Sequence, residues 1–269
     1  MRVIVILCAL ITYYVHPVTA FALEAKLVKV ESKRGVKQPF LFVRPDNPKA
    51  GVVLFIGGDG SLYLSSSGKI VNNDNNFLSR TFRKFAGHGL MVALVDVPSD
   101  KERNSAMFRI GQKHALDIAA VIDYMKKQSN VPIWMVGTSM GSFSAASVAI
   151  KKKNKVSGLV LTSSVTQPKH EKALDKLTAK YPDGVAGLSL QKIKIPVLIV
   201  YHTKDTCKVT PPGDAGKLKG KLSNASRVEV VLLKGGNARK SDPCDGLSQH
   251  GYYGLESEAV KKIATFITQ

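Results

Sequence analysis

The chain has 269 residues, with 39 Lys and Arg against 20 Asp and Glu, and 44% of its residues are apolar. This length supports a sizeable core, in one α/β domain or two small ones, without metal or disulfide crosslinks. Its charge, glycine and proline contents exclude a disordered or fibrous protein, and the net charge of +19 raises the question of an acidic partner.

The first 22 residues have the pattern of a secretory signal peptide. Arg2 precedes an apolar run over residues 3–15, and Ala20 and Ala22 offer cleavage after either alanine. The run is short for a membrane span, so we expect export to the periplasm or the medium. An uncleaved anchor or a buried first strand is the alternative. Losing Arg2 changes the net charge by one, so the basic excess belongs to the mature chain.

Export would place the cysteines in an oxidising compartment. Cys8 lies within the signal segment, which leaves Cys207 and Cys244 as a pair. We expect a disulfide between them, worth on the order of 4 kcal/mol, with two buried free thiols as the alternative. Neither cysteine has a second cysteine or histidine at ligand spacing, so no metal site is predicted.

The predicted strands change character along the mature chain. Two alternating apolar runs, over residues 26–30 and 38–43, predict an antiparallel pair. The later strands are predicted from short continuous apolar runs, which are typical of strands buried on both faces. These runs cover residues 52–56, 90–95, 131–136, 158–161, 195–201 and 228–233.

Helical patterns separate these strands. They cover residues 76–85, 105–127, 142–152, 172–180, 215–222 and 255–267. The alternation predicts an α/β fold with a mainly parallel sheet of about eight strands and helices on both faces. Because we find no internal repeat or linker, we predict a single domain over residues 23–269.

Two long connections interrupt this pattern. Residues 59–76 are rich in Gly, Ser and Asn, and a loop of this length often carries function. Residues 162–194 contain one modest helical pattern, which is enough for a small lid but not for a large cap domain.

A nucleophile motif follows the predicted strand at 131–136. Gly137-Thr138-Ser139-Met140-Gly141 joins this strand to a helix, which is the context that Gly-x-Ser-x-Gly requires. The glycines leave room where the strand and the helix approach each other. A helix-capping serine in a nucleotide-binding turn is the alternative interpretation.

This motif and the alternation of strands and helices around it resemble the α/β-hydrolase superfamily, and the resemblance covers nearly all of the mature chain. The family's order is nucleophile, acid and histidine, with the acid after a later strand and the histidine before the last helix. Residues 202–209 resemble the acid turn and residues 248–254 the histidine loop, while the turn at 162–165 has no carboxylate. The resemblance therefore implies a triad of Ser139, Asp205 and His250.

Other residues compete for these roles. Asp214 and Asp242 remain alternatives for the acid, whereas Asp96 precedes the nucleophile and is expected to be structural. Among the histidines, His88 is expected to close a helix. The other single histidines are also expected to be structural: His114, His170 and His202.

The resemblance also implies an oxyanion hole of backbone amides. One donor would be the amide of Met140, and the second would come from the glycine-rich turn after the third strand, with Asp59 first and Gly58 next. The Asp59 carboxylate should then point away from the site or be paired, because it would repel an oxyanion. A glycine turn without a catalytic part is the alternative. Cys207 lies two residues after Asp205 and Cys244 lies six residues before His250, so their disulfide would also pre-organise the triad.

These features predict an exported serine hydrolase that cleaves a small or medium carboxylic ester without a cofactor or metal. A serine peptidase or amidase with the same triad, and a non-catalytic binding protein on the same scaffold, are the alternatives. Haloalkane dehalogenation is disfavoured, because in the family that the chain resembles this reaction uses an aspartate nucleophile, whereas position 139 is serine. The basic residues are mostly lysine and few aromatic residues accompany them, which argues against a nucleic-acid partner. A solvated basic surface is expected, and weak attraction to anionic surfaces is the alternative.

Overall fold

The computed structural model describes residues 23–269. The predicted signal peptide and Cys8 lie outside the described residues. No helix in the described part of the chain is long and apolar enough to cross a membrane.

One eight-stranded sheet contains strands from both ends of the described chain, in the spatial order β1-β2-β4-β3-β5-β6-β7-β8. The strands are β1 Lys26–Glu31, β2 Lys37–Val43, β3 Ala50–Phe55, β4 Leu90–Val95, β5 Ile133–Thr138, β6 Gly158–Thr162, β7 Val197–His202 and β8 Val228–Leu233. Strand β2 is antiparallel to β1 and β4, and all other neighbours are parallel. The predicted α/β fold with a mainly parallel sheet is confirmed.

Helices cover both faces of this sheet. They are α1 Phe77–Gly87, α2 Ala106–Arg109, α3 Gln112–Gln128, α4 Gly141–Lys151, α5 Asp175–Lys180, α6 Ala215–Lys221 and α7 Glu256–Thr268. Helices α1 and α7 share one buried cluster with Val52 and Leu54, while α3, α4 and α6 share another with Val53 and Phe55. Successive β3 side chains thus enter opposite cores, which explains the continuous apolar runs.

Local chemistry shifts several predicted boundaries. Strands β5 and β7 begin two residues later than predicted, directly after Pro132 and Pro196, since proline has no N–H for the ladder. The single helix predicted over 105–127 is in fact two helices. Gly111, a poor helix former, adopts an extended conformation between α2 and α3.

The prediction that the strand at 228–233 is buried on both faces is wrong. β8 is the edge strand next to β7, and Leu232 is 52% exposed. Between β6 and β7 the chain forms short 3₁₀ turns and the single α-helix α5, which agrees with the one modest helical pattern predicted there.

Candidate active site

Ser139 occupies a strained turn at the carboxyl end of β5. Its φ of 52° is in the left-handed region that non-glycine residues rarely adopt. The turn is held by backbone hydrogen bonds from Ser139 to the Thr162 carbonyl (3.0 Å) and from Ser142 to the Ser139 carbonyl (3.0 Å). Strain of this kind persists only where the surrounding structure enforces it, and it is common at catalytic centres.

The two glycines of the motif are required by close backbone contacts. A Cβ atom on Gly137 would lie 2.3 Å from the Gly141 carbonyl oxygen, and a Cβ on Gly141 would lie 2.0 Å from the Phe55 carbonyl oxygen. Only glycine therefore lets α4 approach β3 and β5 closely enough to place Ser139 on the sharp turn between them.

The predicted acid and base are in direct contact. His250 Nδ1 lies 3.0 Å from Asp205 Oδ2, and both side chains are buried. The Cys207 amide donates to Asp205 Oδ1 (2.9 Å), and the Thr210 hydroxyl donates to Asp205 Oδ2 (3.0 Å). Thr210 Oγ1 also lies 3.0 Å from His250 Nδ1. A carboxylate at Nδ1 keeps the proton on that nitrogen, which leaves Nε2 free to accept another.

Ser163 connects the His250 segment to the nucleophile turn. Its hydroxyl donates to the His250 carbonyl oxygen (2.8 Å), while the carbonyl of the preceding residue, Thr162, accepts from the Ser139 amide. Within residues 23–269 the Ser139 hydroxyl makes no hydrogen bond to His250. Catalytic hydrogen bonds in unliganded enzymes are often long and tighten in the Michaelis complex.

The competing carboxylates lie elsewhere. Asp214 accepts a hydrogen bond from Gln167, and Asp242 is exposed, so neither touches the His250 ring. Asp96 accepts from the amides of Leu62 and Leu64, which anchors the loop at 59–76. Asp96 is therefore structural, as expected.

Three of the other histidines also have structural surroundings, whereas His170 is exposed. His88 closes α1 because its backbone amide donates a hydrogen bond to the Phe85 carbonyl, and His202 is held by the Gly235 carbonyl and the Lys204 amide. His114 is buried between Phe55 and Phe108. Its burial, together with the nearby charges of Arg109 and Arg34, lowers its pKa to about 3.

The turn after β3 lies against the nucleophile. A Cβ on Gly57 would come within 3.0 Å of Ser139 Cβ, which places this turn beside Ser139. The Asp59 carboxylate is paired, as the sequence required, because Oδ1 accepts from the Ser61 amide and hydroxyl and from the Asn73 side chain. Met140, on the other side of Ser139, is the N-cap of α4.

The predicted disulfide between Cys207 and Cys244 is present. It joins the loop of Asp205 to the segment before His250, where the Ser248 hydroxyl accepts from the His250 amide (3.1 Å). Within residues 23–269 no group of three or more His, Cys, Asp or Glu side chains is arranged to hold a metal ion.

Sequence reasoning missed Thr210, Ser163 and Arg109. Arg109 is buried behind the turn after β3 and donates to the Gly58 carbonyl (3.2 Å). Thr210 follows the predicted acid by five residues, but nothing in the sequence distinguishes it from other polar loop residues. The contacts of all three depend on segments that are distant in the chain.

Comparisons with known proteins agree with this architecture. A family model described as serine aminopeptidase, S33, matches residues 75–187, which include Ser139 but neither Asp205 nor His250. No curated protein matches the chain in sequence.

Several solved structures are similar to the chain. One is the Pyrococcus furiosus esterase Pf2001, with a TM-score of 0.62, 15% identity and 91% of each chain covered. Another is the dienelactone hydrolase from Anabaena variabilis, with a TM-score of 0.58, 14% identity, and 91% of this chain and 96% of that chain covered. Est1E from Butyrivibrio proteoclasticus has a TM-score of 0.56, 18% identity, and 90% and 99% covered. The chain therefore has the α/β-hydrolase fold, as the resemblance implied.

Proposed function

We propose that this protein is a serine hydrolase that cleaves a carboxylic ester through an acyl-enzyme on Ser139. The observation that carries the proposal is the buried His250–Asp205 pair at 3.0 Å, on the same edge of the sheet as the strained Ser139 turn. A nucleophile, a base and an orienting acid in this chain order are what acyl transfer on this fold requires.

The reaction begins when His250 Nε2 takes the Ser139 hydroxyl proton as Oγ attacks the ester carbonyl carbon. Asp205 holds the Nδ1 proton and stabilises the imidazolium that forms. The tetrahedral oxyanion accepts hydrogen bonds from the Met140 amide and from the Asp59 amide, with Gly58 as the next donor.

Collapse of this intermediate breaks the bond between the carbonyl carbon and the alcohol oxygen. His250 gives its proton to the departing alkoxide, and the acyl group stays on Ser139. Water then attacks the acyl-enzyme, with His250 accepting one of its protons, and the carboxylic acid leaves as the serine is restored. No step requires a metal or cofactor.

An ester is proposed as the substrate because the similar solved structures include proteins described as esterases. A serine peptidase or amidase is the second candidate, and the family model described as serine aminopeptidase favours it. The Cys207–Cys244 disulfide supports export, since such bonds persist in oxidising compartments.

A fluorophosphonate probe tests the nucleophile. We expect the wild type and Ser147→Ala to be labelled and Ser139→Ala to remain unlabelled. Ser147 is a matched control because it is buried on α4 and its hydroxyl has no hydrogen-bond partner among the described residues. Labelling of Ser139→Ala would contradict Ser139 as the nucleophile, whereas no labelling of the wild type would favour a binding protein.

A substrate panel separates the two hydrolase candidates. Esters of short, medium and long acyl chains should be compared with aminoacyl and dipeptidyl amides whose amine leaving group is the counterpart of the ester's alcohol. The rates of alkaline hydrolysis measure the intrinsic reactivity of each ester and amide. We expect the ratio of kcat/KM between the best ester and the best amide to exceed the ratio of these rates. The opposite ranking would support a peptidase.

A further inference from the structure

Arg109 is a fully buried cation beside the candidate site. It is the largest side chain in the fully buried core, with 1% of its surface exposed. Burial lowers its pKa to about 10, against an opposing effect of the Asp59 charge, so the guanidinium remains protonated at neutral pH. Burying a charge is costly unless it is well compensated, and the hydrogen-bond acceptors of Arg109 are all uncharged.

These acceptors lie on three separate segments of the chain. Arg109 Nη2 donates to the Gly58 carbonyl (3.2 Å), Nη1 to the Ser144 hydroxyl (3.1 Å) and Nε to the Asn104 carbonyl (3.2 Å). The Asn104 amide in turn donates to the Asp59 carbonyl (2.7 Å). The turn after β3 is therefore held at the Gly58–Asp59 peptide group and at the peptide group that follows it.

The Gly58–Asp59 peptide group contains the Asp59 amide, which is one of the two proposed oxyanion donors. In a planar trans peptide, the Gly58 carbonyl and the Asp59 amide point in opposite directions. A hydrogen bond to the carbonyl on one side fixes the direction of the N–H on the other side. It also polarises the peptide, which strengthens the N–H as a donor.

The bond to Ser144 connects Arg109 to the other oxyanion donor. Ser144 lies one helical turn after Met140, on the helix that begins at the nucleophile. A single guanidinium thus ties the two segments that would supply the amides of Met140 and Asp59. Gly60 leaves the space that this requires, because a Cβ there would lie 2.4 Å from Arg109 Nη2.

From this geometry we infer that Arg109 is a positioning residue for the oxyanion hole, which aligns its two amide donors and adds a positive charge behind them. The inference rests on the proposed serine hydrolase and deepens it. Arg109 does not touch the reacting atoms. Its effect is transmitted through the Gly58–Asp59 peptide and through α4, and it should therefore appear in the transition state rather than in substrate binding.

The test compares Arg109→Met and Arg109→Lys with the control Arg227→Met. Arg227 also donates from Nη2 to a main-chain carbonyl, that of Phe266 (3.1 Å), but it lies at the far edge of the sheet beside β8. Ester hydrolysis should be measured at a temperature at which circular dichroism shows every variant to be folded. Losing one whole oxyanion donor costs about 10²–10³-fold in kcat, so misaligning it should cost about 10- to 100-fold.

We expect kcat to fall in Arg109→Met with KM nearly unchanged, to recover partly in Arg109→Lys, and to remain at the wild-type level in Arg227→Met. Affinity for a trifluoromethyl ketone, whose serine adduct carries an oxyanion, should fall in parallel with kcat. Affinity for the matching unfluorinated ketone should not change. A purely structural role would lower stability without lowering kcat relative to KM and without separating the affinities for the two ketones.

Two results would overturn the inference. One is a kcat in folded Arg109→Met within twofold of the wild type, with the proposed function intact. The other is an equal loss of affinity for both ketones. A wild type that neither hydrolyses esters nor reacts with fluorophosphonate would overturn the proposed function, and this inference with it.

Discussion

Removal of the Cys207–Cys244 disulfide should reduce turnover before it unfolds the protein. The perturbation is the double variant Cys207→Ser/Cys244→Ser, or reduction of the wild type with a phosphine. The bond lies close to the chemistry, since the Cys207 amide donates to Asp205 Oδ1 at 2.9 Å and Asp205 in turn binds His250. Releasing the bond should let this amide, and the carboxylate that it holds, move relative to the ring.

The expected loss of stability follows from the length of the closed loop. The two cysteines are separated by 37 residues, which corresponds to about 4 kcal/mol in the chain-entropy model. For a domain of this size, each kcal/mol lowers Tm by about 2–4 °C, so a shift of about 8–16 °C is expected. The loss of kcat has a different origin: a displacement of about 1 Å at a catalytic group can cost up to about 10²-fold.

The assay records kcat and Tm on the same samples. Ester hydrolysis is measured at 15 °C, well below the expected midpoint of the variant, while near-ultraviolet circular dichroism reports the folded fraction. Ile263→Ala is the matched control, because this buried residue on α7 should cost a similar 2–5 kcal/mol and lies outside the acid and histidine loops. We expect about a tenfold loss of kcat in the disulfide variant and none in the control.

Either of two results would contradict a catalytic role for the disulfide. Activity that survives in the folded disulfide variant would show that the bond serves stability alone. Activity that disappears only as the folded fraction disappears, as in Ile263→Ala, would show the same.

Three further substitutions test the site and its support. Asp205→Asn should lower kcat by about 10⁴-fold by losing the correct tautomer, whereas Asp214→Asn should leave ester kinetics unchanged; equal losses would mean that Asp205 is not the orienting acid. His114→Leu should flatten the pH dependence of stability between pH 4 and 6. The buried ring has a pKa of about 3, below that of a histidine in the unfolded chain, so the unfolded state binds more protons over this range. The free energy of unfolding of the wild type should therefore fall by about 1.4 kcal/mol for each pH unit by which the pH is lowered. Urea unfolding at pH 4, 5, 6 and 7 measures this, and parallel profiles would contradict it. Asp96→Ala should cost about 1–3 kcal/mol and expose the loop at 59–76 to proteolysis, because the loop amides that it holds become unsatisfied; an unchanged cleavage pattern would argue against the anchor.

Most of the fold could be predicted because its signals are local. Apolar runs located all eight strands, and proline explains why β5 and β7 start late. The two errors have non-local or weak causes. The edge position of β8 depends on the order of strands in space, and the break at Gly111 depends on a single poor helix former within a long amphipathic pattern.

The candidate site divides in the same way. Ser139 is marked by five consecutive residues, because the strand, the sharp turn and the helix are neighbours in the chain. Asp205 and His250 could be assigned only by the order that the family resemblance implies. The structure then brings them within 3.0 Å of each other and excludes Asp214 and Asp242 from that contact.

The alternation of strands and helices can therefore be predicted from the sequence, as can the nucleophile turn and the cysteine pair, since each depends on spacing along the chain. Which side chains support the site depends on the tertiary structure. Thr210 at the acid, Ser163 behind His250 and Arg109 behind the turn after β3 each bind groups that are distant in sequence. Their roles arise because the carboxyl ends of parallel strands meet at one edge of the sheet, where loops from different parts of the chain come into contact.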